Sequence, residues 1–208
     1  MRIKICGLFR DEDIDYANEA RPNYIGFVFA KSARQVSATL AQYLRFRLAN
    51  DIIPVGVFVN APIPSIVELY HNGVISMAQL HGSEDEGYIT RLKELSETTV
   101  RQKRIQAIKV IKSLLPNFAE NNTPVNADYL LVDSGAGSGK TFNWDALKSV
   151  EFGKPWFLAG GIDGGNIKKA AELNPFAIDI SSGAETNGVK DREKILSLCK
   201  AVKQGNIK

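Results

Sequence analysis

The chain has 208 residues, 44% of them hydrophobic and 24% charged, with a formal net charge of +3. That length can bury one core and that balance belongs to a soluble globular protein, which excludes a disordered chain and a membrane-embedded one. The small positive excess mildly favours an anionic ligand and makes no case for nucleic acid. The richest basic stretch, Arg101, Lys103, Arg104, Lys109 and Lys112, is interrupted by apolar residues with a strand pattern and reads as solvated element ends. The two cysteines, Cys6 and Cys199, show no metal-type spacing with histidine, and a disulfide between them is not expected. The opening run Met1-Arg2-Ile3-Lys4-Ile5 is too short and too charged for a signal-peptide core. No apolar run approaches the roughly 18 residues of a membrane helix. A cytoplasmic protein with no membrane partner is the expectation, and a monomer, because no apolar stripe stands out.

Short β-branched runs alternate with amphipathic stretches from end to end. A strand at 2–6 is followed by a helix at 11–20, a strand at 24–29 by a helix at 37–49, and a strand at 54–59 by a helix at 62–73. The pattern continues with 75–80 and 84–96, 105–110 and 112–121, 128–133 and 143–149, 155–159 and 164–172, then 177–181 and 190–203. Asp11, Ser37 and Asn143 stand at N-cap positions, and Pro62 and Pro64 suit a helix's first turn. Connections this long rule out hairpins and imply parallel strands with helical crossovers. An open doubly wound sheet usually has five to seven strands, so the count of eight units favours an α/β fold of the other kind, a single-domain (β/α)8 TIM barrel over residues 1–208. The Asn-rich patch Glu120-Asn121-Asn122-Thr123-Pro124 reads as a surface loop within it.

Barrel active sites are built from the loops at the C-terminal ends of the strands. The polar residues gather there: Cys6-Gly7, Lys31-Ser32-Ala33-Arg34, Asn60, Gln79-Leu80-His81-Gly82, Asp133-Ser134, Gly160-Gly161 and Asp179-Ile180-Ser181-Ser182-Gly183. Gly160, Gly161 and Gly183, with Ser181 and Ser182, fall in the two loops that commonly form a barrel's phosphate site, or they merely make tight turns. Cys6 is either a small buried hydrophobe or a base. Strand alternation turns Ile3 and Ile5 towards the helices and Lys4 and Cys6 inward, where a lysine would favour thiolate. Asp179, on a neighbouring strand of a closed barrel, is positioned to pair with Lys4, and that pairing serves burial whether or not it serves chemistry. Asp133 ends the apolar strand Tyr129-Leu130-Leu131-Val132 and is a candidate general acid or a loop acceptor. Arg34 is either solvated or a bidentate carboxylate site. Gln79 and His81 are further candidates, His81 to bond substrate or to finish its strand.

Gly135-Ala136-Gly137-Ser138-Gly139-Lys140-Thr141 looks like a nucleotide-binding P-loop, but Ser134 occupies the position where that motif requires its first glycine. The segment also fails to run straight into a helix, since Phe142-Asn143-Trp144 follows.

Taken together, Lys4-Ile5-Cys6-Gly7, Gly26-Phe27-Val28-Phe29, Ser32-Ala33-Arg34-Gln35-Val36, Val57-Phe58-Val59-Asn60 and Gln79-Leu80-His81-Gly82 resemble successive motifs of the phosphoribosylanthranilate isomerase family. So do Leu131-Val132-Asp133-Ser134, Gly139-Lys140-Thr141-Phe142-Asn143-Trp144, Leu158-Ala159-Gly160-Gly161 and Asp179-Ile180-Ser181-Ser182-Gly183. The resemblance spans essentially the whole chain and absorbs the Gly-Lys-Thr segment without ATP chemistry. The chain departs from the family at Ala33, where proline is usual, and in the longer Gly-Ala-Gly-Ser-Gly loop before Lys140. The resemblance implies an Amadori rearrangement of a small phosphorylated substrate, with Asp133 as acid, Cys6 as base, Arg34 on the anthranilate carboxylate, the last two loops on the phosphate, and no metal or other cofactor. Alternatives are a related phosphoribosyl isomerase, expected to carry a carboxylate at Cys6, and a barrel that only binds sugar phosphate.

Overall fold

The computed structural model describes residues 1–97, 104–111, 126–133 and 144–204. The expected helix at 112–121, the Asn-rich patch, the Gly-Lys-Thr segment and the Asn143 cap lie outside the described residues.

Eight parallel strands close into one barrel: β1 (Arg2–Cys6), β2 (Tyr24–Val28), β3 (Ile53–Phe58), β4 (Met77–Leu80), β5 (Gln106–Ile111), β6 (Tyr129–Asp133), β7 (Trp156–Ala159) and β8 (Ala177–Ile180). The ring is sealed by β1 against β8, in the register Ile3↔Ile178, Lys4↔Asp179 and Ile5↔Ile180. Outside lie α1 (Asp11–Ala20), α2 (Ala38–Arg47), α3 (Ile63–His71), α4 (Glu86–Ser96), α5 (Ile167–Glu172) and α6 (Arg192–Gln204). The segment expected as a helix at 143–149 is a 3-10 turn, Trp144–Ser149. No helix among the described residues is long and apolar enough to cross a membrane.

The helix starts follow from local hydrogen bonding. Ser37 caps α2 as expected, its hydroxyl accepting from Leu40 N–H at 3.1 Å. Pro62 and Pro64 sit at the first turn of α3. At α1 the cap is Arg10 rather than Asp11, because Asp13 reaches back and accepts the N–H groups of Phe9 and Arg10 at 3.0 and 3.1 Å. The expected helix at 190–203 begins two residues later. Between β8 and α6 the chain first forms an antiparallel hairpin, β9 (Glu185–Thr186) and β10 (Val189–Lys190), around Asn187-Gly188 with φ values of 52° and 81°. Positive φ at both positions is the signature of a tight two-residue hairpin. Asp191 then caps α6, accepting from Lys194 N–H at 3.1 Å.

Side-chain alternation divides the core in two. Ile3, Ile5, Ile25, Phe27, Ile178 and Ile180 face the helices in one large apolar cluster. Tyr24, Val55, Met77, Ile108, Leu131, Phe157 and Ala177 fill the barrel interior in a second. Its floor is aromatic: Tyr24 and Tyr129 meet Phe157 edge-on at 5.5 and 5.7 Å, Phe176 lies 5.6 Å from Phe157, and Arg2 covers Phe176.

Candidate active site

Above the aromatic floor the interior turns polar. Lys4, fully buried, donates from Nζ to both carboxylate oxygens of Asp179 and to Gln79 Oε1, each at 2.9 Å. The ammonium thus has three acceptors, which is how a buried charge is tolerated. Burial works against the charged form of Lys4, but Asp179 outweighs it and the lysine pKa is raised.

Cys6 lies one pleat above Lys4 on β1 and lines a cavity of about 470 Å3 at the C-terminal end of the barrel. The expectation that Lys4 brings this thiol below its ordinary value needs correction. Burial raises the Cys6 pKa above 9.0, and Lys4, through its charge and a hydrogen bond, opposes that shift without overcoming it. The physical reason is first the loss of water around the buried thiol, to which the carboxylate of Asp179 adds by disfavouring the thiolate. Lys190 adds a weaker opposing charge.

The same cavity is lined by Gln79, His81, Asp133, Asp179, Arg34, Gly160, Gly161, Ser181 and Ser182. Asp133 closes β6 on the inward side, following Tyr129 and Leu131. Its Oδ2 lies 3.6 Å from His81 Nε2, so two residues singled out separately form one pair on the rim. Gly160 and Gly161 have φ values of 94° and 62°, consecutive left-handed positions at the end of β7 that L side chains rarely adopt. Asn166 holds this loop by donating to Gly161 O at 2.8 Å. Ser181 Oγ donates to Cys6 O at 3.2 Å, tying the β8 loop to the end of β1.

Two predicted residues lie outside the cavity lining. Lys4 sits beneath Cys6. Gly183 packs on the loop after β7, where an added Cβ would come within 1.9 Å of Ile162 O, so only glycine fits there. Arg34 lines the cavity half-buried rather than as a freely solvated side chain: Nε and Nη2 each donate to Glu185 at 2.6 Å. Glu185 and Lys190 were missed by reading the sequence. The signal was there in the Asn-Gly hairpin with a charge in each arm, but Lys190 was absorbed into the following helix. The basic stretch also divides. Arg104 is exposed and pairs with Glu97, whereas Lys109 is largely buried, donating to Glu84 and to Gly82 O below His81. Among the described residues no group of three or more His, Cys, Asp and Glu is gathered as a metal site would be.

Residues 3–201 match the model of the family described as N-(5'-phosphoribosyl)anthranilate (PRA) isomerase. An N-(5'-phosphoribosyl)anthranilate isomerase from Endomicrobium trichonymphae is 43% identical over 208 residues, covering 97% of this chain and 98% of that protein. The crystal structure of phosphoribosyl anthranilate isomerase from Thermotoga maritima superposes with a TM-score of 0.85 at 30% identity, covering 98% of this chain and 99% of that one. A phosphoribosyl anthranilate isomerase in complex with reduced 1-(o-carboxyphenylamino)-1-deoxyribulose 5-phosphate superposes with a TM-score of 0.80 at 28% identity, with coverage of 98% and 99%.

Proposed function

The chain belongs to the N-(5'-phosphoribosyl)anthranilate isomerase family, and from that membership we propose a division of labour among its cavity residues. The protein is an isomerase of tryptophan biosynthesis, acting on N-(5'-phosphoribosyl)anthranilate in an Amadori rearrangement to 1-(2-carboxyphenylamino)-1-deoxyribulose 5-phosphate. Asp133 gives a proton to the ribose ring oxygen. The C1–O bond breaks as the anilino nitrogen's lone pair forms the Schiff base. Cys6, once ionised, takes the proton from C2, and the electrons of that bond flow back to neutralise the nitrogen as an enolamine. Gain of a proton at C1 and loss of the enol proton leave the ketone. Arg34 receives the anthranilate carboxylate, and backbone N–H groups at Gly160 and Gly161, with Ser181 and Ser182, receive the phosphate.

The observation that carries this reading is the sharing of one cavity by Cys6, Asp133, Arg34 and the two glycine- and serine-bearing loops. Loss of substrate fluorescence on turnover tests it. Turnover by the wild-type protein with inhibition by inorganic phosphate is expected, and phosphate binding without turnover would leave only a sugar-phosphate-binding barrel. Retention of near-normal kcat by both Cys6→Ala and Asp133→Asn would overturn the two assigned roles. A monomer remains the proposal for assembly. Among the described residues the exposed large apolar side chains, Tyr43, Phe46, Ile53, Val59 and Leu95, are divided among α2, β3, the loop after it and α4. Sedimentation at several concentrations tests it.

A further inference from the structure

Arg34 reaches the cavity from the loop after β2, a connection that by itself would let a long side chain sample many rotamers. Three contacts remove that freedom. Its stem lies over Gly7, where an added Cβ would come within 2.5 Å of Arg34 Cδ. Its Nε and Nη2 are both taken by the carboxylate of Glu185, which is almost wholly buried. Nη1 has no hydrogen-bond partner among the described residues.

Glu185 is itself held. Lys190 Nζ, fully buried, donates to Glu185 Oε1 at 2.5 Å and to Ser181 O at 3.0 Å. Burial alone would lift the Glu185 carboxyl, but Arg34 and Lys190 more than offset it and the group stays ionised below its ordinary range. Two cations against one carboxylate leave the Arg34–Glu185–Lys190 cluster with a single net positive charge. The Lys4–Asp179 pair beneath adds none. The β9–β10 hairpin thus ties the carboxylate-side arginine to the serine loop on the phosphate side through one buried lysine.

We propose that Glu185, braced by Lys190, is a positioning residue for substrate binding: it clamps one edge of the Arg34 guanidinium so that the Nη1 edge alone is offered, in one orientation and with one net positive charge, to a monoanionic carboxylate. The inference rests on Arg34 being the carboxylate site. A guanidinium with two edges can satisfy two carboxylates at once, and one already fixed by protein spends no side-chain freedom on the second. Glu185→Gln removes this fixation, because an amide offers one acceptor and turns a donor towards another donor.

Steady-state turnover of N-(5'-phosphoribosyl)anthranilate tests the role in wild type, Glu185→Gln, Arg34→Met and the double variant. Glu185→Gln should raise KM about tenfold with kcat changed less than about threefold, and leave inhibition by inorganic phosphate within about twofold of wild type. In the Arg34→Met background the same change should move KM less than about twofold, because Glu185 then has nothing to position. An unmoved KM in Glu185→Gln, or an equal multiplication of KM in both backgrounds, overturns the proposal. Should Glu185→Gln fail to unfold cooperatively, Glu185→Asp takes its place. It keeps the charge against Lys190 but is one methylene short of the fork, and a wild-type KM there overturns the proposal equally. Absence of turnover by the wild-type protein would remove the activity itself and the carboxylate with it. Turnover with an unmoved KM removes only the role of Glu185.

Discussion

The two faces of the barrel wall are made by the same strands and solve opposite problems. On β1, Ile3 and Ile5 point outward into an aliphatic layer against the helices, while Lys4 and Cys6, one residue out of phase, point inward. The outer layer needs no directional chemistry, because branched aliphatic side chains fill space between strand and helix in any sequence of suitable volume. The inner face is stratified along the barrel axis. An aromatic floor around Phe157 gives way to the Lys4–Asp179–Gln79 cluster, and above that to the open cavity. What separates the floor from the stratum above it is partnership: floor residues contribute by filling volume, whereas Lys4 and Asp179 are tolerated only because each charge has its counterpart. Mutations in the two strata should therefore fail in different ways.

The largest expected effect comes from unpairing the middle stratum. Lys4→Met leaves the Asp179 carboxylate buried without its partner and should cost about 3–5 kcal/mol of stability, read by denaturant or thermal unfolding. Adding Asp179→Leu should recover much of that, since an apolar pair needs no compensation. Phe157→Ala in the floor should cost a similar 3–5 kcal/mol by leaving a cavity. No second substitution that merely removes charge should recover it. Recovery of Phe157→Ala by Asp179→Leu would break the distinction.

The next effect sharpens the contrast between two buried cysteines that lie on opposite sides of the wall. Cys6→Ala should lower kcat about 10²-fold or more with little change in KM, and Cys199→Ala should leave turnover unchanged. Cys199 is a residue of α6 whose side chain lies in the outer layer, where burial pushes its thiol up to about 11. In the Cys199→Ala background, alkylation of Cys6 by iodoacetamide should rise with pH through a midpoint above the ordinary 9.0, because burial favours the neutral thiol. A midpoint well below 9.0 would mean that Lys4 overrides burial after all.

The smallest effect is an acid one. The folded-state pKa of Glu185 lies below its ordinary 4.5, so its contribution to stability is complete above that value and fades as pH falls through the folded one. Replacing it by glutamine should flatten the acid limb of the stability curve. An unchanged limb would mean that other carboxylates carry it.

Much of this arrangement is legible along the chain, for reasons that differ by residue. Cys6, Gln79, His81, Asp133, Asp179, Ser181 and Ser182 are readable as candidates because polar residues at the C-terminal ends of apolar strands have no structural use in the outer layer. The pairing of Lys4 with Asp179 follows from alternation once the ring closes. Glu185 escapes that logic. It lies beyond β8 in a short hairpin, 151 positions from the arginine that it holds, and no periodicity connects them. That Gly183 packs too closely on Ile162 O to carry any side chain depends on where the loop after β7 runs, which the sequence does not state.

What the sequence by itself determined is the number and order of the parallel strands, the face each strand residue presents, and the set of polar groups at one end of the barrel. These are consequences of local periodicity and chain connectivity. Only the tertiary structure decided which charges neutralise one another. It joined His81 to Asp133 across the rim, gave the Arg34 fork to Glu185, and set burial against Lys4 at Cys6. Electrostatic partnership and desolvation depend on distance through space and on exclusion of water, and neither quantity is written along the chain.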